Sequence, residues 1–137
     1  MEKIFHFDTP EEHYQADACV VSCYDARFDA VLRKFLKRRG LGVVDHLKVA
    51  GSVKGMAAPE NESDREFLLR MIRISKRLHR PDVVLMVGHQ DCGAYGGAGP
   101  DVIAADLLRA RDVLRAAEPD LPVECYFTAF DGVYRVE

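Results

Sequence analysis

The sequence predicts an α/β fold in three layers, a mainly parallel β-sheet flanked by helices, with a C-terminal antiparallel hairpin. Three observations predict it. Valine-rich runs alternate with amphipathic stretches along the chain, the order that builds a parallel sheet. The run DVVLMVG is apolar almost throughout, as in a strand covered on both faces. Near the C-terminus, Asp131-Gly132 separates two strand-like runs, a hairpin turn signal.

The elements follow in order. DACVVSC reads as a buried strand ending at Cys23. RFDAVLRKFLKRRG reads as a helix. Phe28, Val31, Leu32, Phe35 and Leu36 recur at helical spacing, and Gly40 is placed to close it. GVVDHLKVAG is the second strand, and GSVKGMAAPENES is a loop punctuated by Gly, Pro and Asn. Ser63 and Glu66 form a capping-box pattern ahead of a helix carrying Phe67, Leu68, Met71, Ile72 and Ile74, which ends near His79 before Pro81. DVVLMVG is the third strand, GHQDCGAYGGAGP a glycine-rich loop, and DVIAADLLRARDVLRAAEPD the last helix. PVECYFTAFDGVYRVE closes the chain as the hairpin.

The 137 residues suit one domain, 1–137, with 1–16 as an N-terminal arm. The formal net charge of −3 argues against a phosphate-backbone partner. The basic cluster RKFLKRRG reads as a helix end, where the dipole favours cations. No apolar run is long enough to span a bilayer, and MEKIFHFDTPEEHYQ has no signal-peptide core. The expectation is a cytoplasmic protein with no nucleic-acid or membrane partner. There, Cys19, Cys23, Cys92 and Cys125 are expected as thiols or metal ligands.

In parallel sheets, sites form at the carboxyl ends of strands. Cys23 to Arg27 and Gly88 to Gly97 both lie just past such an end. Cys23 and Asp25 project to the same side of an extended backbone. One turn of backbone lets His89 and Cys92 face one point. Two thiolates, an imidazole and a carboxylate match what a tetrahedral Zn²⁺ takes, and the thiolates disfavour Mg²⁺ and Ca²⁺. Residue type alone leaves copper and iron open. Arg27 can pair bidentately with Asp25. If Arg27 holds Asp25 away, a bound metal keeps an open position; if Asp25 swings over, the site is closed. Cys19 and Cys125 read as core. His6, His13, His46 and His79 show no comparable partners, and His46 on the second strand stays open as part of a wider pocket.

These residues resemble the signature of the β-class carbonic anhydrases, Cys-x-Asp-x-Arg followed by Gly-His-x-x-Cys-Gly. Here they stand as Cys23-Tyr24-Asp25-Ala26-Arg27 and Gly88-His89-Gln90-Asp91-Cys92-Gly93, and the resemblance spans roughly residues 18 to 136. It implies zinc held by Cys23, His89 and Cys92, with Asp25 and Arg27 as the catalytic dyad gating the fourth position. The implied reaction is reversible hydration of CO2 to bicarbonate by zinc-bound hydroxide. The implied assembly is a homodimer or a multiple of dimers, with the pocket near the subunit interface.

The sequence departs from the family pattern at two places. KVAGSV stands where an Arg-x-Ala-Gly-Asn-like segment is usual, and the N-terminal stretch is too short for the long helices that embrace a partner subunit. The glutamine that commonly binds substrate has only Gln15 and Gln90 as candidates, by residue type. Two further readings therefore stand beside the lyase: a zinc hydrolase of another small molecule, such as a sulfur analogue of CO2, and a non-catalytic zinc protein with a closed site. The glycine-rich loop matches neither the dinucleotide fingerprint nor the P-loop.

Overall fold

The computed structural model describes all residues, 1–137. Five strands form one sheet: β1 (Ala18–Ser22), β2 (Val44–Lys48), β3 (Val83–His89), β4 (Val123–Ala129) and β5 (Gly132–Val136). Their order is β2-β1-β3-β4-β5. All neighbours run parallel except β4 and β5, which form the antiparallel hairpin closed at Ala129↔Gly132. The helices are α1 (Asp29–Arg38), α2 (Lys54–Ala57), α3 (Glu62–His79) and α4 (Pro100–Ala117).

The alternation of side chains builds the three layers. Cys19 and Val21 of β1 join Val84 and Met86 of β3 against Leu68 and Ile72 of α3 and Ile103 and Leu107 of α4. Ala18, Val20, Leu85 and Val87 face the other way, onto Leu32 and Leu36 of α1. A period of two on strands thus meets a period near four on helices, on both faces. Cys19 and Cys125 are buried in the first of these cores, as their apolar surroundings predict.

Several boundaries differ from the sequence reading. The helix after β1 starts with a 3-10 turn, Ala26–Phe28, before α1 proper. Its end is a Schellman cap: Gly40 takes φ +76°, its N–H bonds the Lys37 carbonyl, and the Leu41 N–H bonds Leu36. The expected loop 51–63 contains α2, four residues without a readable apolar period. The Ser63–Glu66 capping box does not form. Helix α3 starts two residues earlier than that box would place it, at Glu62, with Asn61 extended and making no side-chain cap. Arg65 instead ties this end down, bonding Glu62 and the Met56 carbonyl. Strand β3 runs one residue further than expected, so His89 is its last residue rather than a loop residue.

His79 also has the partners its local sequence did not suggest. Its Nδ1 lies 2.9 Å from both oxygens of Asp45, and Tyr14 stacks on its ring. Asp45 reaches it from β2, 34 residues away in the chain.

Candidate metal centre

In the order β2-β1-β3, the chain leaves β1 for β2 on one side, while β3 continues toward β4 on the other. A crevice opens at such a reversal, outside the carboxyl ends of β1 and β3. Cys23 follows the last residue of β1, and His89 ends β3. Asp91 then turns the chain at φ +56°, and Cys92 follows in extended conformation ahead of a 3-10 turn at Gly93–Tyr95. Gly88 lets β3 approach α4 closely: a Cβ there would meet Ile103 Cγ2 at 2.6 Å. The position of His89 therefore depends on its glycine neighbour.

Cys23, His89 and Cys92 come together with their ligand atoms all within 4.8 Å of one another. His89 and Cys92 are buried and Cys23 is partly so. The His89 Nδ1–H donates to the Gln90 carbonyl at 2.8 Å, which fixes the tautomer and leaves Nε2 as an acceptor. That Nε2 is buried and has no hydrogen-bond partner in the chain. A buried acceptor without a partner is costly. Beside two thiols it has the chemistry of a zinc ligand, so the residues fit the ion the sequence suggested. Burial pushes the Cys92 thiol up, while the backbone N–H groups of Ala94 and Tyr95 pull it down. A bound cation would hold it as thiolate.

Asp25 stands beside this trio and is engaged by Arg27. Arg27 Nε donates to Asp25 Oδ1 at 3.0 Å and Nη2 donates to Oδ2 at 2.6 Å. The Arg27 backbone N–H adds a third donor at 3.1 Å. These bonds hold the Asp25 carboxyl down at about 2. Arg27 Nη1 reaches across to Asp91 Oδ2 at 2.9 Å. The guanidinium also lies near the Phe28 and Phe130 rings, at 5.7 and 5.6 Å from their centroids. Asp91 and Phe130 were not singled out by the sequence. An acidic residue between two candidate ligands was the available signal for Asp91; Phe130 arrives from the distant hairpin and gave none.

The trio opens into a cleft of about 550 Å³, walled by Tyr24, the Asp25–Arg27 pair, and the small residues Ala50, Gly51 and Ala94. The segment KVAGSV contributes only backbone and methyl groups here. Ser52 turns inward, buried, and its Oγ donates to the Val21 carbonyl. Neither glutamine lines the cleft: Gln15 lies near Arg80 and Asp82, and Gln90 Oε1 accepts from the Phe130 N–H. His46 bonds Ser22 Oγ at 2.7 Å and lines a separate groove with Asp29 and Lys48.

A family profile described as "Putative carbonic anhydrase" matches residues 14–136. Solved structures share the fold at low identity. The carbonic anhydrase of Streptococcus mutans superposes with a TM-score of 0.65 at 17% identity, over 91% of this chain and 84% of that one. One of two tetrameric β-carbonic anhydrases from Sordaria macrospora gives 0.58 at 14%, over 90% and 81%. An apo carbon disulfide hydrolase gives 0.63 at 12%, over 90% and 81%.

Proposed function

The chain belongs to this carbonic anhydrase family as a divergent, β-carbonic-anhydrase-like member, and from that premise we propose that it is a zinc lyase catalysing reversible hydration of CO2 to bicarbonate. One observation carries the reading: the buried, partnerless His89 Nε2 converges with the sulfurs of Cys23 and Cys92. Those three residues would hold the zinc. Zinc, when bound, acidifies a water so that it can attack CO2 near neutral pH.

The chain's own residues do the rest. Arg27 holds the Asp25 carboxylate by two side-chain bonds and so keeps it off the ion. Asp25, held low at about 2, is an ionised acceptor throughout the neutral range, able to take a hydrogen bond from a water and orient it. Ala50, Gly51 and Ala94 give a small apolar wall for a linear, uncharged substrate. A second copy of the chain would wall the cleft further, in a homodimer or a multiple of dimers. The tetrameric enzyme from Sordaria macrospora, which shares the fold, supports such an assembly. No helix is long and apolar enough to cross a membrane, and we place the protein in the cytoplasm, where its four free thiols would stay reduced.

Stopped-flow CO2 hydration, on protein carrying one zinc per chain, tests the proposal. Activity that rises with pH and is lost in Asp25→Asn is expected; zinc-loaded protein no faster than buffer would sink it. A second reading is favoured by the absence of any side-chain amide in the cleft and by the carbon disulfide hydrolase fold neighbour. Sulfide release from carbon disulfide, with no CO2 hydration, would select that reading.

A further inference from the structure

Arg27 has two carboxylate partners, and the second has no part in the dyad as the sequence presents it. Its Nε and Nη2 face Asp25. Its Nη1 donates to Asp91 Oδ2 at 2.9 Å, and Nη2 also reaches the Asp91 backbone carbonyl at 3.3 Å. Asp91 sits at φ +56°, a conformation glycine adopts more readily. The turn from His89 to Cys92 needs that backbone, and the side chain Asp brings there is the one that reaches Arg27. Asp25 and Arg27 lie two residues apart, so their pairing alone fixes the guanidinium only relative to its own turn. Asp91 belongs to the other ligand-bearing segment, adjacent to Cys92. The bridge thus ties the turn after Cys23 to the turn before Cys92.

We propose that Asp91 is a positioning residue for the dyad: it anchors Arg27 from the metal-binding turn, in the orientation that holds Asp25 away from the ion. The inference rests on the gating role given to Asp25 and Arg27 above. Arg27 is half exposed, and without the Asp91 carboxylate its guanidinium keeps one local carboxylate, the backbone carbonyl of residue 91 and two aromatic rings. It can then swing toward solvent and carry or release Asp25. A released Asp25 competes for the fourth position with any external ligand.

The test uses full-length protein with Co²⁺ in place of zinc, and azide as the probe, read by visible absorption at one fixed pH. Asp91→Gly keeps the left-handed backbone and the carbonyl and removes only the carboxylate. Asp91→Asn keeps an oxygen acceptor and removes the charge. If the open fraction falls to about a tenth, apparent azide affinity weakens roughly tenfold in Asp91→Gly. Asp91→Asn should fall between it and wild type, and Asp91→Gly should add little to Arg27→Ala. Azide binding unchanged in both Asp91 variants, while Arg27→Ala weakens it, overturns the inference and leaves the dyad intact. Azide binding unchanged in Arg27→Ala overturns the gating role itself, and the inference with it. Should Asp91→Gly fail to fold, Asp91→Asn decides alone: wild-type azide affinity there overturns the inference.

Discussion

Two clusters in this sheet gather a histidine, a thiol and a carboxylate, one at the carboxyl ends of β1 and β3, the other near the amino ends of β1 and β2. In the second, Asp45 accepts from Ser75 Oγ at 2.6 Å, from Tyr14 Oη at 2.7 Å and from His79 Nδ1 at 2.9 Å. Burial alone would raise the Asp45 carboxyl, but these three donors together lower it. Cys19 lies in the same wall, its thiol pushed up to about 11 by burial. The cluster closes on itself, pinning Tyr14 and the end of α3 to the edge strand. In the first cluster, the acceptor nitrogen of His89 has no partner, and two sulfurs face it. Residue types are similar; what separates a stabilising network from a ligand set is whether the donors and acceptors are already satisfied by the chain.

The strongest way to break this comparison is to remove one member of each cluster. His89→Ala should lose zinc and all catalysis, while Asp45→Ala keeps one zinc per chain; metal analysis after dialysis reads both. Zinc loss from Asp45→Ala, or retention by His89→Ala, would mean the two clusters are assigned the wrong way round. The next effect is on stability. Asp45→Ala strands the part-buried Ser75 and His79 donors and should cost about 2–3 kcal/mol in urea unfolding. Because the folded Asp45 carboxyl lies below its unfolded value of about 3.9, its contribution is fully present above that pH and fades as pH falls through the lower folded value. The stability gap between wild type and Asp45→Asn should therefore shrink in acid; a gap that widens would contradict the network.

Gly88→Ala comes next. Its methyl would press on Ile103 at 2.6 Å, so a cost of about 1–3 kcal/mol is expected, with weakened zinc retention through the neighbouring His89. The smallest effect separates the thiols. Iodoacetamide on metal-free protein at neutral pH should label Cys23, which is partly exposed, ahead of Cys19 and Cys125, both pushed up to about 11 by burial. Zinc should abolish the Cys23 labelling and leave the others as slow as before. Equal rates at all three would remove the distinction.

Much of this was legible in the sequence because the signals were local. The unbroken apolar runs in ACVVS and VVLMVG mark strands with two covered faces, and Gly40 marks the end of its helix. The hairpin was legible to within a residue: it turns on Phe130-Asp131, and Gly132 already pairs with Ala129 as the first residue of β5. The dyad pairing is equally local, since Asp25 and Arg27 sit on one turn. What escaped depends on distance or on competition. The α2 helix is one turn long, formed where the chain packs beneath α3 and α4 rather than by its own periodicity. The Ser63–Glu66 pattern lost to Arg65, whose bonds to Glu62 and the Met56 carbonyl hold an α3 that starts two residues earlier. His79, at the end of α3, looked alone because Asp45 approaches it from β2. Asp91 was hidden because its partner lies 64 residues away, across the crevice.

X-ray absorption at the zinc edge tests the central claim most directly. A shell of two sulfurs near 2.3 Å and two nitrogen or oxygen neighbours near 2.0 Å is predicted, falling to one sulfur in a Cys92→Ser variant that still binds metal. A shell of nitrogen and oxygen alone, or no zinc held by the purified protein, would contradict it.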